Sequence, residues 1–85
     1  MRSVIIVTVK DSAGAFTYDV EVPVDITAKK AAEDIVEVLN YYKGGTPVLP
    51  REGGQLKNQR TGKILEPGRT LLESGVWQGD ILIIN

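Results

Sequence analysis

The sequence predicts a two-layer α+β domain, a mixed sheet of four to five strands packed on one main helix. Three observations carry this. Period-two and β-branched runs alternate with turn residues in the order strand, strand, helix, strand, strand, short helical turn, strand. One stretch, from about Ala28 to Tyr41 or Tyr42, has the three- and four-residue apolar spacing of an amphipathic helix that covers a single sheet. The segment from Thr70 to Asn85 reads as a capped turn, a glycine turn and a closing strand.

Val4 to Val9 is a strand of β-branched residues, followed by a hairpin loop at Ser12-Ala13-Gly14. Phe16 to Val22 is half-buried and antiparallel by its alternation: Tyr18, Val20 and Val22 on one face, Thr17, Asp19 and Glu21 on the other. Pro23 ends it, having no N–H for the ladder. Thr27 is the helix N-cap, and Ala31, Ile35, Val38, Leu39 and Tyr42 form the apolar stripe. Tyr42 is expected to pack inward and leave Tyr41 outside. Lys29–Glu33 and Lys30–Asp34 are spaced to pair on the polar face. Lys43-Gly44-Gly45 stops the helix, and Thr46 to Gly54 is a loop rich in proline and glycine.

Gln55 to Gln59 is a short third strand with Leu56 inward and Lys57 outward. The turn Arg60-Thr61-Gly62-Lys63 leads to a brief fourth strand at Ile64-Leu65, and Glu66-Pro67-Gly68-Arg69 turns again. Thr70 and Glu73 have the spacing of a capping box. Gly75 suits a left-handed turn ending, Val76 points inward, Gly79-Asp80 is a tight turn, and Ile81 to Ile84 is a strand. With the sequence finishing in that strand, its terminus is expected to be held inside the sheet.

Eighty-five residues make one domain, spanning 1–85. Cysteine and histidine are absent, which removes disulfides, thiolate chemistry, the common zinc designs and imidazole acid–base catalysis. No spacing specifies paired carboxylates, and neither Gly44-Gly45 nor Gly53-Gly54 fits a phosphate-binding loop. The expectation is a protein without enzymatic activity, cofactor or metal that acts through its surfaces. Ten basic residues against eleven acidic give a formal charge of -1, no footprint for nucleic acid. Val4 to Val7 and Ile81 to Ile84 are too short for a signal-peptide core or a membrane span, so no direct membrane insertion is expected. The cytoplasm is the expected location, with attachment to a membrane complex through a partner left open.

This element order resembles the β-grasp, or ubiquitin-like, fold. The motif Thr70-Leu71-x-x-x-Gly75-Val76-x-x-Gly79-Asp80-x-Leu82 is similar to the ubiquitin-like pattern before the last strand, and Asp25-Ile26-Thr27 and Gly62-Lys63-Ile64-Leu65 also look like ubiquitin's. Three departures matter. No diglycine tail follows, so the resemblance does not extend to conjugation. Lys57 stands where ubiquitin's apolar patch has its central isoleucine, so ubiquitin receptors are not expected to recognise this surface. The first hairpin is slightly longer, and Pro47 to Gly53 makes a prominent loop.

Among tailless bacterial relatives the chain most resembles the YukD/EsaB-like family, through Pro50-Arg51-Glu52-Gly53 and Gly79-Asp80. That resemblance implies an accessory or regulatory component of type VII (ESX/WXG-type) secretion; similar domains are also fused to membrane components of such systems. The alternative is the small ubiquitin-like structural subunit of multicomponent diiron monooxygenases, which shares the Pro-Arg-Glu-Gly stretch and a Ser-Gly turn like Ser74-Gly75. A protein modifier is the least favoured reading. Each of the first two implies a protein partner or multiprotein complex.

A β-grasp sheet puts its first and last strands side by side. With Ile5, Val7 and Val9 facing the helix, Val4, Ile6, Ile81 and Ile83 would form one outward apolar stripe next to Lys57. Such a stripe is either β-propensity on a solvated face or a docking surface. Trp77 either covers the edge of the core or anchors an interface. Lys57 and Arg60 would select among partners by charge. The loop Pro50, Arg51, Glu52 and Gly53 is the secondary candidate surface.

Overall fold

The first strand has a pairing neighbour on each side. In the computed structural model, β1 (Val4–Asp11) pairs antiparallel with β2 (Thr17–Pro23) on one side and parallel with β5 (Ile81–Ile84) on the other. β3 (Leu56–Asn58) pairs antiparallel with β5 and with β4 (Lys63–Ile64), giving the order β2-β1-β5-β3-β4. One helix, α1 (Ala28–Tyr42), completes the layers. The structure describes residues 3–12, 14, 17–42 and 54–84, the side chains of Leu39, Asn40 and Tyr42 excepted. Expectations for Phe16, Leu39, Tyr42, the helix stop at 43–45, the loop Pro50–Gly53 and Asn85 lie outside the described residues.

The expected α+β, β-grasp architecture is present. Alternation decides which face of each strand is buried. Val7 and Val9 of β1, Val22 of β2, Leu56 of β3, and Leu82 and Ile84 of β5 form the inner face. They meet Ala28, Ala31, Ala32, Ile35 and Val36 of α1, with Leu65, Leu71 and Val76 closing the far end. The helix face differs from the expected stripe. Ala31 and Ile35 are buried as expected, but Val38 is 41% exposed, and Ala28, Ala32 and Val36 are buried in addition.

The start of the helix is fixed twice. The Thr27 Oγ1 accepts the Lys30 N–H at 3.2 Å, the expected cap. The Ala28 and Lys29 N–H groups, otherwise without partners at a helix start, donate to the Arg69 and Pro67 carbonyls at 2.8 and 3.1 Å. The Leu71 N–H returns a bond to the Ile26 carbonyl at 3.0 Å. The segment after β4 is thereby pinned to the helix. The capping box forms in both directions: the Thr70 N–H donates to Glu73 Oε1 at 2.9 Å, and the Glu73 N–H to Thr70 Oγ1 at 3.1 Å. The Thr70 backbone N–H holds the Glu73 carboxyl below its ordinary value. The turn ends at Gly75 with φ 72°, where only glycine is unstrained, and Val76 enters the core.

Candidate functional site

The outer face of the sheet follows from the same alternation. Val4 and Ile6 are exposed, Ile6 at 45%, while Ile81 and Ile83 are half-buried and Lys57 is exposed. The register then sets neighbours. Ile83 lies between Lys10 of β1 and Lys57 of β3, and Lys57 is opposite Ile64 of β4, giving a row Lys10–Ile83–Lys57–Ile64. Ile64, 55% exposed, belongs to this face although the sequence reading left it out. Ile81 lies beside Thr8, whose hydroxyl donates to Asp19 Oδ1 at 2.7 Å.

Ile6 has a different neighbour on that side. Its N–H donates to Gln78 Oε1 at 2.9 Å and its carbonyl accepts the Gly79 N–H at 2.8 Å. The structure thus joins Ile81, Ile83 and Lys57, and sets Val4 and Ile6 one step along, past Thr8 and beside the Gln78–Gly79 turn. The face is also polarised in charge. Asp19 and Glu21 lie across from Thr8 and Ile6 on β2, whereas Lys10 and Lys57 flank Ile83.

A buried polar cluster braces the turn below β5. Asp80, 6% exposed, accepts four hydrogen bonds: Asn58 Nδ2 at 3.0 Å, Arg60 Nε at 2.9 Å, Arg60 Nη2 at 3.2 Å and the Trp77 N–H at 2.8 Å. Asn58, fully buried, accepts the Arg60 N–H on Oδ1 at 2.9 Å. Among the described residues no buried side-chain polar atom lacks a partner. The Arg60 guanidinium holds the Asp80 carboxyl below its ordinary value against the opposing effect of burial, helped by the Trp77 N–H and Asn58.

Of the two readings of Trp77, covering the core is removed: the residue is 63% exposed, and Val76 takes the inward position as expected. Its ring instead carries the Arg60 guanidinium, 3.9 Å from the centroid, a cation–π contact. Arg60 is not a free surface charge, since it is paired with Asp80 and also donates to the Gly75 carbonyl at 2.7 Å. Asn58 and Asp80 were missed as a cluster. Period two along β3 already places Asn58 on the Leu56 face, and a buried amide there demands a partner.

Among the described residues no group of three His, Cys, Asp or Glu side chains is placed to hold a metal ion, and no helix is long and apolar enough to cross a membrane. The features that stand out are surfaces. The family described as "WXG100 protein secretion system (Wss), protein YukD" matches residues 4–84.

The chain belongs to the YukD family.

Solved structures share the fold of this YukD-family chain. The EccD5 ubiquitin-like domain from Mycobacterium xenopi is 19% identical with a TM-score of 0.74, over 98% of this chain and 93% of that one. A ubiquitin-like domain from Arabidopsis thaliana is 23% identical with a TM-score of 0.72, over 100% and 78%. A chain of an ESX-5 inner membrane complex is 22% identical with a TM-score of 0.72, over 96% of this chain but 20% of its own. No curated protein matches the chain.

Proposed function

We propose that this YukD-family chain is a non-catalytic docking module, an accessory or regulatory component of a bacterial type VII secretion system. It would work in the cytoplasm and reach any membrane complex through a protein partner. The observation that carries this reading is the outer sheet face, where Ile6 is exposed and Ile81 and Ile83 are half-buried, with Lys10 and Lys57 flanking Ile83. Apolar side chains would supply the binding energy, and the flanking lysines would select the partner. The family match and the likeness to EccD5 and to an ESX-5 complex chain support the secretion context.

Affinity capture from native cells identifies the partner, and titration calorimetry then tests the face. Ile6→Glu and Ile83→Glu, each shown folded by circular dichroism, are expected to weaken binding by about tenfold or more, which is about 1.4 kcal/mol. Glu33→Lys on the helix is the control and is expected to change little. Near wild-type affinity for both isoleucine variants would overturn the open-face reading. Capture of diiron hydroxylase subunits would overturn the secretion assignment.

A further inference from the structure

We propose that a groove beside β4 is a second binding site, and that it takes an acidic peptide segment carrying a bulky apolar side chain next to an Asp or Glu. The groove, about 340 Å³, lies between the turn joining β3 to β4 and the segment from Glu66 to Trp77. Its walls include two exposed apolar side chains, Ile64 and Trp77, and three cations, Arg60, Lys63 and Arg69. The groove shares Ile64 with the margin of the open face, but neither Ile6 nor Ile83 lines it, and it does not rest on the open-face reading.

Charge decides the occupant. Glu66 is the one acid in the wall, and it already accepts from Arg69 Nε at 2.8 Å. Asp80, behind Arg60, neutralises that guanidinium. Lys63 makes no ion pair among the described residues, so the groove is positive within a chain whose formal charge is -1. Arg60 has donors to spare. Of the five guanidinium hydrogens, Nε and Nη2 serve Asp80 and Gly75, and Nη1 has no acceptor among the described residues. A carboxylate reaching Nη1 and Lys63 would gain charge-assisted bonds while its apolar neighbour packed on Trp77 and Ile64. A basic segment would meet repulsion. A nucleic-acid backbone, with many phosphates, would find one unpaired cation.

The site is also built before anything binds. Asp80 fixes the Trp77 backbone and the Arg60 guanidinium together, and the guanidinium covers the indole. A tryptophan held this way loses little freedom on binding, and Trp and Arg are the residues most often found to dominate interface energetics. Bracing the Asp80 cluster accounts for Nε and Nη2; it does not account for a 63% exposed ring lining a groove together with Lys63 and Arg69.

The test is nuclear magnetic resonance of the full ¹⁵N-labelled chain, titrated with three short synthetic peptides: one alternating Asp or Glu with Leu and Phe, one with Lys replacing the acids, and one acidic with Ala replacing Leu and Phe. Only the first is expected to shift the Trp77 indole and the Lys63, Ile64 and Arg69 amides. Trp77→Ala and Lys63→Glu, both at exposed positions, are each expected to weaken it about tenfold, and Ile6→Glu and Ile83→Glu to leave it within about twofold. The proposal fails if the first peptide gives no shift at millimolar concentration, or if the lysine or alanine peptide binds as well. It fails equally if shifts centre on Ile6 and Ile83, or if inorganic phosphate or concentrated protein alone reproduces them.

Discussion

Asp80→Ala is expected to cost about 2–4 kcal/mol of unfolding free energy, from one buried donor left unpaired at about 1–3 kcal/mol and a partly buried one at the low end of that range. Those donors are the Asn58 amide and the Trp77 N–H. Arg60, more exposed, recovers part of its loss by turning to water, so its share is small. Urea unfolding measures the effect as a lower midpoint at unchanged slope. A loss below about 0.5 kcal/mol, within the ordinary range of surface substitutions, would show that the cluster does not brace the turn. Acid adds a second arm. The folded-state pKa of Asp80 lies below its ordinary 3.8. Its contribution is therefore complete above the unfolded value and is lost as pH falls through the lower folded value. Asp80→Asn removes that dependence, so the stabilities of wild type and variant converge on acidification below about pH 4. A gap that stays constant or widens would contradict the assignment.

Ile35→Ala is expected to cost about 2–4 kcal/mol, the range for a large aliphatic residue truncated in a packed core. Ile35 is 2% exposed and belongs to the hydrophobic core. Val38→Ala is the discriminating control. Its exposed position predicts a change within about 0.5 kcal/mol. Equal losses for the two variants, measured by the same denaturation, would mean that the helix is rotated relative to the face described.

The helix illustrates what a sequence pattern resolves. Successive residues are about 100° apart around the axis, so Val36 and Val38 stand on opposite flanks of Ile35. Hydrophobicity alone ranks the two valines equally. Packing breaks the tie, leaving Val36 2% exposed and Val38 41%, and that is information a list of apolar residues does not contain. The strands were more legible because period two leaves one choice per strand: Val7 and Val9 in, Ile6 out, all as observed. The cap at Thr27 and the box at Thr70 and Glu73 were legible because they depend on residues three apart.

The site was less legible for a different reason. Arg60, Trp77 and Asp80 are each ordinary in sequence, and only the β3–β5 register brings them together across about twenty residues. The outward stripe was read correctly face by face. Its spacing was not, because β5 begins level with Thr8 and leaves Ile6 to the Gln78–Gly79 turn.

The place of β5 between β1 and β3 also sets a timetable for synthesis. The β1–β2 hairpin is complete at Pro23, yet the strand that covers the other side of β1 begins at Ile81. At elongation rates of about 5–20 residues per second, the hairpin waits roughly 3–12 s on the ribosome with that edge open. An open strand edge invites pairing with whatever strand is nearby, and contacts this distant in sequence form slowly. The domain therefore closes after translation of its last strand rather than progressively. A stalled or prematurely ended chain would expose a pairing edge on β1 that the complete fold conceals.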